Sequence, residues 1–262
     1  GGGMLGACEV GMLRALGEAG ITPDLVVGTS VGAFNGVFAA ADPTSAAKVL
    51  TQIWSGGAGS AFSGSMFERA ATFVRSGTHL HSTDRLALAL ESLMSVSTFE
   101  ELAVPFQCVA ASIEAANAHW FTSGPLVPAV LASCAVPGIL PPVRIGDEHF
   151  YDGGLVHSIP VGRAVHEGAQ TIFVLHVGRV DAPLSVPRRP WEVGMVAFEL
   201  ARRHRFAEEM AQLPADVTVH VLPTGVPPRS SGLAQLRYRD ASRVEGEIDR
   251  AYQATRAYLA AL

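Results

Sequence analysis

Apolar and polar segments follow one another along the chain in an order that predicts strands and helices in turn. The stretches that predict strands lie at 25–28, 106–112, 120–121, 149–151, 171–177 and 217–222, and those at 25–28 and 171–177 are expected to be buried. The stretches that predict helices cover 10–19, 31–41, 84–94, 126–134, 161–167, 191–212 and 240–262. Gly20 and Pro43 follow the first two of these helices, as residues that end helices do. This alternation favours an α/β fold with helices on both faces of a mostly parallel central sheet.

The composition of the chain excludes several classes of protein. The chain has 262 residues, of which 48% are hydrophobic and 16% charged, and its net charge is −5. That charged fraction is low against about 25% in an average soluble domain. A net negative chain lacks the clustered basic excess of a nucleic-acid binder. Three scattered cysteines indicate neither a disulfide framework nor a zinc site. Because no linker in the sequence is long enough to divide two domains, we expect one domain over 1–262.

No stretch of the chain predicts a transmembrane helix or a targeting segment. The longest stretches without charge, at 25–41, 49–67 and 115–143, are interrupted by glycines, polar residues or prolines. We expect a cytoplasmic location or peripheral contact with a membrane. The long helix at 191–212 has two interpretations, a membrane contact and an amphipathic helix packed on the domain, and the second is favoured. The glycine-serine segment at 55–65 is interpreted as a surface loop, with a lid as the alternative.

The strongest local motif is a G-x-S-x-G sequence formed by Gly28, Ser30 and Gly32. It follows a predicted buried strand and precedes a predicted helix, which is the context of a nucleophilic serine on a sharp turn. The glycines allow neighbouring backbone to approach without a Cβ clash. Ser30 is therefore the candidate nucleophile.

A glycine-rich loop opens the chain. Gly1, Gly2, Gly3 and Met4 precede a predicted helix, so their N–H groups are candidate donors for an oxyanion. Gly1, Gly3 and Gly6 also match a dinucleotide-binding pattern. We disfavour that alternative because the acidic residue, Asp24, comes before the second strand rather than at its far end.

A serine nucleophile needs a base, and two candidates follow from the residues. His176, near the end of a predicted strand, is the best placed histidine. Asp152 leaves a predicted strand into Gly153 and Gly154, and an Asp-Gly pair is most often a surface turn. Taken by itself, the sequence at Asp152 favours the surface turn over the base.

Several motifs together resemble the patatin-like phospholipase family. These are GGGMLG at 1–6, GTSVGAFN at 28–35 and DGG at 152–154, with ASCAVPG at 132–138 and PPV at 141–143 before the aspartate. The motifs stand in the order and spacing of that family, over roughly residues 1–178.

The resemblance implies a patatin-like three-layer fold and a serine acyl hydrolase that cleaves lipid acyl esters, as phospholipases A and lysophospholipases do. Ser30 would be the nucleophile, Asp152 its base, and 1–4 the oxyanion hole, without metal or cofactor. The motif glycines would be Gly6, Gly28, Gly32, Gly153 and Gly154.

The chain departs from the family pattern at Leu5, where a basic residue is usual, and this weakens the expectation of an anionic phospholipid. The enzyme alternatives are a carboxylesterase or an acyl-thioesterase with the same dyad. From other classes, the alternatives are a catalytically retired scaffold and a dinucleotide-binding module. The expected partner is a lipid or other acyl ester, not a nucleic acid.

Overall fold

The computed structural model of the protein describes residues 6–56, 81–177, 183–225 and 241–262. The helices in these ranges are α1 (Ala7–Glu18), α2 (Val31–Ala41), α3 (Ala46–Ser55), α4 (Asp84–Leu93), α5 (Leu126–Ser133), α6 (Val161–His166), α7 (Pro190–Ala211) and α8 (Ala241–Leu259). The strands are β1 (Val26–Gly28), β2 (Phe106–Ser112), β3 (Asn117–Phe121), β4 (Val143–Ile145), β5 (Glu148–Asp152), β6 (Thr171–Val174) and β7 (Thr218–Val221). Short 3₁₀ helices cover Phe99–Glu101 and Gly153–Leu155.

The larger sheet is organised around β2. Strand β1 pairs with β2 in parallel, whereas β3 and β5 pair with it antiparallel and β4 pairs antiparallel with β5. Strands β6 and β7 form a separate parallel pair. Helices flank the central sheet, as the α/β class requires.

The predicted mostly parallel central sheet is wrong for the described residues, because β1–β2 is the one parallel pairing among the four pairings of that sheet. The reason is local. Strands β2 and β3 are separated by residues 113–116 and β4 and β5 by residues 146–147, and such short connections join antiparallel strands only. Gly146 adopts a φ of +62° in the second turn, a conformation that glycine reaches without strain.

The main hydrophobic core lies between the sheet, α2 and α5. Phe34 and Val37 of α2, Val130 of α5 and Cys108 and Ala110 of β2 belong to one cluster of buried side chains. All residues of β2 are buried, including the polar Gln107 and Ser112. This central strand therefore forms the rigid support of the fold.

The C-terminal helix closes the fold against the first helix. A methyl group at Gly11 of α1 would lie 2.1 Å from the Ile248 carbonyl oxygen of α8. Because no side chain fits in that space, the two helix backbones approach closely at this glycine. Arg14 of α1 lies over the Tyr252 ring of α8, 4.1 Å from its centroid.

Most predicted elements agree with the structure, with some differences. Helix α3 and strand β4 were not predicted, and the strand predicted over 171–177 ends at Val174. The predicted loop or lid at 55–65 lies outside the described residues beyond Gly56. Among the described residues, no helix has both the length and the apolar character needed to cross a membrane.

Candidate active site

Ser30 occupies a strained turn between β1 and α2. Its φ of 56° and ψ of −125° lie in a region that residues with a Cβ rarely adopt. Gly28 makes the turn possible, since a methyl group there would lie 2.6 Å from the Ala33 Cα. The Ser30 carbonyl accepts hydrogen bonds from the N–H groups of Ala33 (2.8 Å) and Phe34 (3.0 Å), which begins α2. Strand, sharp turn and helix thus have the geometry of a nucleophile elbow.

Asp152 is the last residue of β5 and is 1% exposed. Its Oδ1 accepts a hydrogen bond from the Gly154 N–H at 2.7 Å. Its Oδ2 has no partner of full hydrogen-bond geometry in the part of the chain that the structure describes. Buried carboxylate oxygens normally have such a partner, so Oδ2 is free to accept a proton or a hydrogen bond.

The pairing of strands on β2 brings Ser30 and Asp152 together. Strand β3 occupies one edge of β2 at residues 108–112. Both β1, which pairs Gly28 with Cys108, and β5, which pairs Asp152 with Ala110, must therefore use the other edge. Because β1 runs parallel to β2 and β5 antiparallel, their carboxyl ends meet head-on, separated by about 7 Å along β2.

A glycine is required where the two strand ends meet. A methyl group at Gly153 would lie 2.1 Å from the carbonyl oxygen of Val109, the β2 residue between the two ends. Such a contact forces the backbone to move. Gly153 thus allows the chain to turn directly after Asp152 without leaving β2.

The environment of Asp152 changes its acidity. Burial raises the pKa of its carboxyl group from the ordinary 3.8 to about 6, and the Ser30 hydroxyl and the Gly154 N–H oppose this rise. The Ser30 hydroxyl therefore lies near enough to stabilise the carboxylate, although no bond of ideal geometry joins it to Oδ2. A carboxylate with a raised pKa beside a hydroxyl is a suitable general base at neutral pH.

The end of α5 touches both halves of the site. The Ser30 N–H donates to Ser133 Oγ at 3.0 Å, and Cys134 Sγ donates to the Ser30 carbonyl at 3.1 Å. The Asp152 N–H donates to the Ala135 carbonyl at 2.9 Å. No role was predicted for these residues from the sequence. The available signal was a serine in an otherwise apolar helix, followed by a cysteine.

A second buried carboxyl group lies beside the elbow. Glu9 of α1 is 3% exposed, and its Oε2 accepts a hydrogen bond from Asn35 Nδ2 at 2.7 Å. The Asn35 side chain also donates to the Gly6 carbonyl (3.0 Å) and accepts from Trp54 Nε1 (3.1 Å). Burial raises the pKa of Glu9, and the Asn35 amide partly offsets this. The network ties α1, α2 and α3 together behind Ser30.

Helix α7 covers the turn after Asp152. A methyl group at Gly154 would lie 2.7 Å from Phe198 Cζ of α7. Further along α7, Glu209 Oε1 lies 2.8 Å from His157 Nδ1, and the His157 carbonyl accepts a hydrogen bond from Thr29 Oγ1 at 2.7 Å. The interpretation of this helix as packed on the domain is therefore confirmed, and α7 is linked to the residue preceding Ser30.

The structure brings some predicted residues together and leaves others apart. Ser30, Gly28, Gly32, Asp152, Gly153 and Gly154 lie at the meeting point of β1 and β5. Gly6 packs against this region, because a methyl group there would lie 2.1 Å from Val31 Cγ2. The predicted oxyanion residues Gly1, Gly2, Gly3 and Met4 lie outside the described residues.

The alternative residues lie on other elements than the candidate dyad. His176 follows β6 in the smaller sheet rather than either strand that carries the candidate dyad. Asp24 is exposed in the segment before β1. The geometry thus favours Asp152 over His176 as the partner of Ser30, while the catalytic roles of both dyad residues stay predictions.

Comparison with known proteins identifies the family. The family model described as patatin-like phospholipase matches residues 1–165. The chain belongs to the patatin-like phospholipase family. Among relatives, patatin-like phospholipase domain-containing protein 7 of Mus musculus is 31% identical over 184 residues. Lysophospholipase nte1 of Aspergillus terreus is 29% identical over 181 residues.

These similarities have a limited extent. The two alignments each cover 69% of this chain but 13% and 12% of the respective relatives, so the chain spans about an eighth of their length. Among solved structures, VipD from Legionella pneumophila matches with a TM-score of 0.51 at 14% identity, over 100% of this chain and 66% of that one. At such an identity the match supports the patatin-like fold alone.

Proposed function

We propose that this patatin-like chain is a serine acyl hydrolase that cleaves lipid acyl esters with Ser30 as nucleophile and Asp152 as general base. The observation that carries the proposal is the strained elbow at Ser30 beside a buried carboxylate whose Oδ2 has no other full partner among the described residues. Backbone strain and a perturbed carboxyl group in one place are typical of active sites rather than of packing.

The proposed reaction has two steps. Ser30 Oγ attacks the ester carbonyl while its proton passes to Asp152 Oδ2; the tetrahedral intermediate then expels the alcohol, which takes that proton. In the second step a water gives a proton to Asp152 and attacks the acyl-serine. The Asp152 proton then passes to Ser30 Oγ as the fatty acid leaves, which restores both residues. With a pKa of about 6, Asp152 is roughly 90% ionised at pH 7, ready to accept the proton.

We propose the loop of Gly1, Gly2, Gly3 and Met4 as the oxyanion hole. The support is its glycine content and its place shortly before α1, whose amino end begins at Ala7. Backbone N–H groups at a helix amino end stabilise developing negative charge. Each such donor contributes about 3–4 kcal/mol to lowering the barrier.

We propose a lysophospholipid or related phospholipid as the substrate, because relatives of this chain are named lysophospholipases. A carboxylesterase or an acyl-thioesterase would use the same dyad. A panel of lysophospholipids, phospholipids, monoglycerides and acyl-CoA separates these classes. Hydrolysis confined to acyl-CoA or to short soluble esters would overturn the lipid assignment.

The dyad is tested by Ser30→Ala and Asp152→Asn on a chromogenic ester, with exposed Asp24→Asn as the matched control. We expect both dyad variants to lose at least about 10³-fold in kcat, and the control to keep wild-type activity. A fluorophosphonate probe should label Ser30 in the wild type. Retained activity in Asp152→Asn, or labelling at another serine, would overturn the assignment.

Although α7 packs on the domain, we also propose that its exposed side makes peripheral contact with a lipid surface. Val193 and Leu200 of α7 are 54% and 62% exposed, and Leu155, in the turn after Asp152, is 42% exposed. Exposed bulky apolar residues next to a site for lipids suit an interfacial helix. In sedimentation with phosphatidylcholine vesicles, Leu200→Glu should reduce binding several-fold without changing hydrolysis of a soluble ester. Unchanged vesicle binding would contradict this contact.

The packing of α8 on α1 at Gly11 supports a single domain over 1–262. Limited proteolysis tests this extent of the domain. We expect the part that carries the motifs and the C-terminal helix to remain associated under native conditions, since separating them would expose the buried residues Met12 and Ala251. Release of a stable fragment without α8 would contradict it.

A further inference from the structure

Three consecutive residues at the end of α5 contact the backbone of both dyad residues. Ser133 and Cys134 hold the N–H and the carbonyl of Ser30, and Ala135 holds the N–H of Asp152. We propose that Ser133 and Cys134 are positioning residues, which keep Ser30 in its strained conformation and its hydroxyl beside Asp152. The inference rests on the proposed function for its kinetic consequences, but not for the contacts themselves.

Ser30 needs such support because its conformation is unfavourable for a residue with a Cβ. It precedes α2, so the ladder of that helix does not bind its N–H group. Ser133 Oγ accepts this N–H from a position that is 0% exposed. If Ser30 relaxed to an extended conformation, the N–H would turn away from Ser133 and remain unpaired in the core, which is costly.

Cys134 acts on the carbonyl of the same residue. Burial raises the pKa of its thiol well above the ordinary value, with the nearby Asp152 carboxylate as a further cause. The side chain is therefore a thiol at neutral pH and can donate its S–H to Ser30. Cys134 joins the Ala33 and Phe34 N–H groups at the Ser30 carbonyl, and Ser133 accepts the Ser30 N–H. The peptide groups on both sides of Ser30 therefore cannot rotate without breaking a buried contact.

The third contact fixes the base to the same segment. Because Ala135 directly follows Cys134, its bond to the Asp152 N–H attaches β5 to the residues that hold Ser30. Nucleophile and base are thus positioned against one short piece of chain. Loss of a contact at Ser30 should shift its hydroxyl relative to the Asp152 carboxylate, while Asp152 itself stays in place.

The experiment follows the titration of Asp152 by ¹³C NMR of the carboxyl group in the full chain. Variants are Ser133→Ala, Cys134→Ala and Cys134→Ser, with Ser30→Ala as the reference. The Ser30 hydroxyl lowers the pKa of Asp152, so the reference should titrate at higher pH than the wild type. We expect Ser133→Ala and Cys134→Ala to reproduce more than half of that upward shift.

Two controls separate positioning from packing. Cys134→Ser keeps a donor to Ser30. The pKa of Asp152 in this variant should therefore differ from the wild-type value by less than a quarter of the shift caused by Ser30→Ala. Cys108→Ala removes a thiol of matched burial in β2 that makes no side-chain hydrogen bond within the described residues, and it should titrate as the wild type does. Equal shifts in Cys134→Ser and Cys134→Ala would refute the donor role.

Kinetics provide the second readout. Ser133→Ala and Cys134→Ala should lower kcat about 10-fold or more with KM within 2-fold of the wild type, whereas Cys108→Ala should change neither. The proposal would be overturned if Ser133→Ala and Cys134→Ala both shifted the pKa of Asp152 by less than half of the shift caused by Ser30→Ala. Should the wild type hydrolyse no ester, the proposed function fails, but the titration still decides the positioning roles. If Ser133→Ala does not fold, Cys134→Ala carries the test.

Discussion

Replacing Asp152 by asparagine removes a buried carboxyl group whose ionisation is unfavourable in the folded protein. The side chain is 1% exposed, and burial raises its pKa from the ordinary 3.8 to about 6. The folded state therefore binds the proton more tightly than the unfolded state. This tighter proton binding stabilises the folded state fully below pH 3.8, and the stabilisation is lost as the pH rises through 6.

The size of the effect follows from the two pKa values. Above pH 6 the folded protein carries the buried charge at a cost of about 3 kcal/mol, since each tenfold change in proton affinity corresponds to about 1.4 kcal/mol. At pH 4 the same relation leaves a difference below about 1 kcal/mol. Asparagine is neutral at every pH, and its carbonyl can still accept the Gly154 N–H. Asp152→Asn should therefore stabilise the fold by about 3 kcal/mol at pH 7.5 and far less at pH 4.

Urea unfolding of the wild type and the variant at several values between pH 4 and 7.5 measures this difference. Asp24→Asn is the control, because the Asp24 side chain is exposed, and its free energy of unfolding should follow the wild type at each pH. A constant difference between wild type and Asp152→Asn across this range would refute the reasoning. In that case, the environment of Asp152 does not penalise its charge.

Three further predictions concern the same region. Because only ionised Asp152 accepts the Ser30 proton, kcat/KM should fall tenfold per pH unit below an apparent pKa near 6; a rate independent of pH between 5 and 7 would contradict this. Gly153→Ala places a methyl group 2.1 Å from a β2 carbonyl oxygen, so it should lower the melting temperature and abolish activity. The control Gly17→Ala, whose methyl group would have no atom within 4 Å, should stabilise the fold by about 0.4–1 kcal/mol. Asn35→Ala removes the hydrogen bond to buried Glu9 and should destabilise by about 3 kcal/mol in urea unfolding; a loss below about 1 kcal/mol would show that the pair is not needed.

Local sequence signals were sufficient for the elements that carry the chemistry. The helix over 31–41 and the strand over 106–112 have the predicted bounds. The G-x-S-x-G sequence lies on the expected turn between strand and helix. This turn could be predicted because the spacing of its glycines and the change from an apolar stretch to a helix are visible in neighbouring residues. Helix α3 was missed although the sequence marks it, since Ser45 stands at its N-cap and the buried Leu50 and Trp54 lie one helical turn apart.

Contacts between distant segments were not accessible in this way. The residues alone left Asp152 as a surface turn or a base, and family resemblance was needed to favour the second reading. The roles proposed for Ser133 and Cys134 depend on atoms more than 100 positions from Ser30 in the chain. No periodicity or composition encodes such a pairing.

The sequence by itself therefore determined the order of most elements, the elbow at Ser30 and, through several motifs in order, the family. Only the tertiary structure decided that β1 and β5 share one edge of β2, so that Ser30 and Asp152 meet there. The physical reason is that strand pairing and burial are long-range properties. A carboxyl group acquires its raised pKa and its free Oδ2 from what surrounds it in the folded chain, not from its neighbours in sequence.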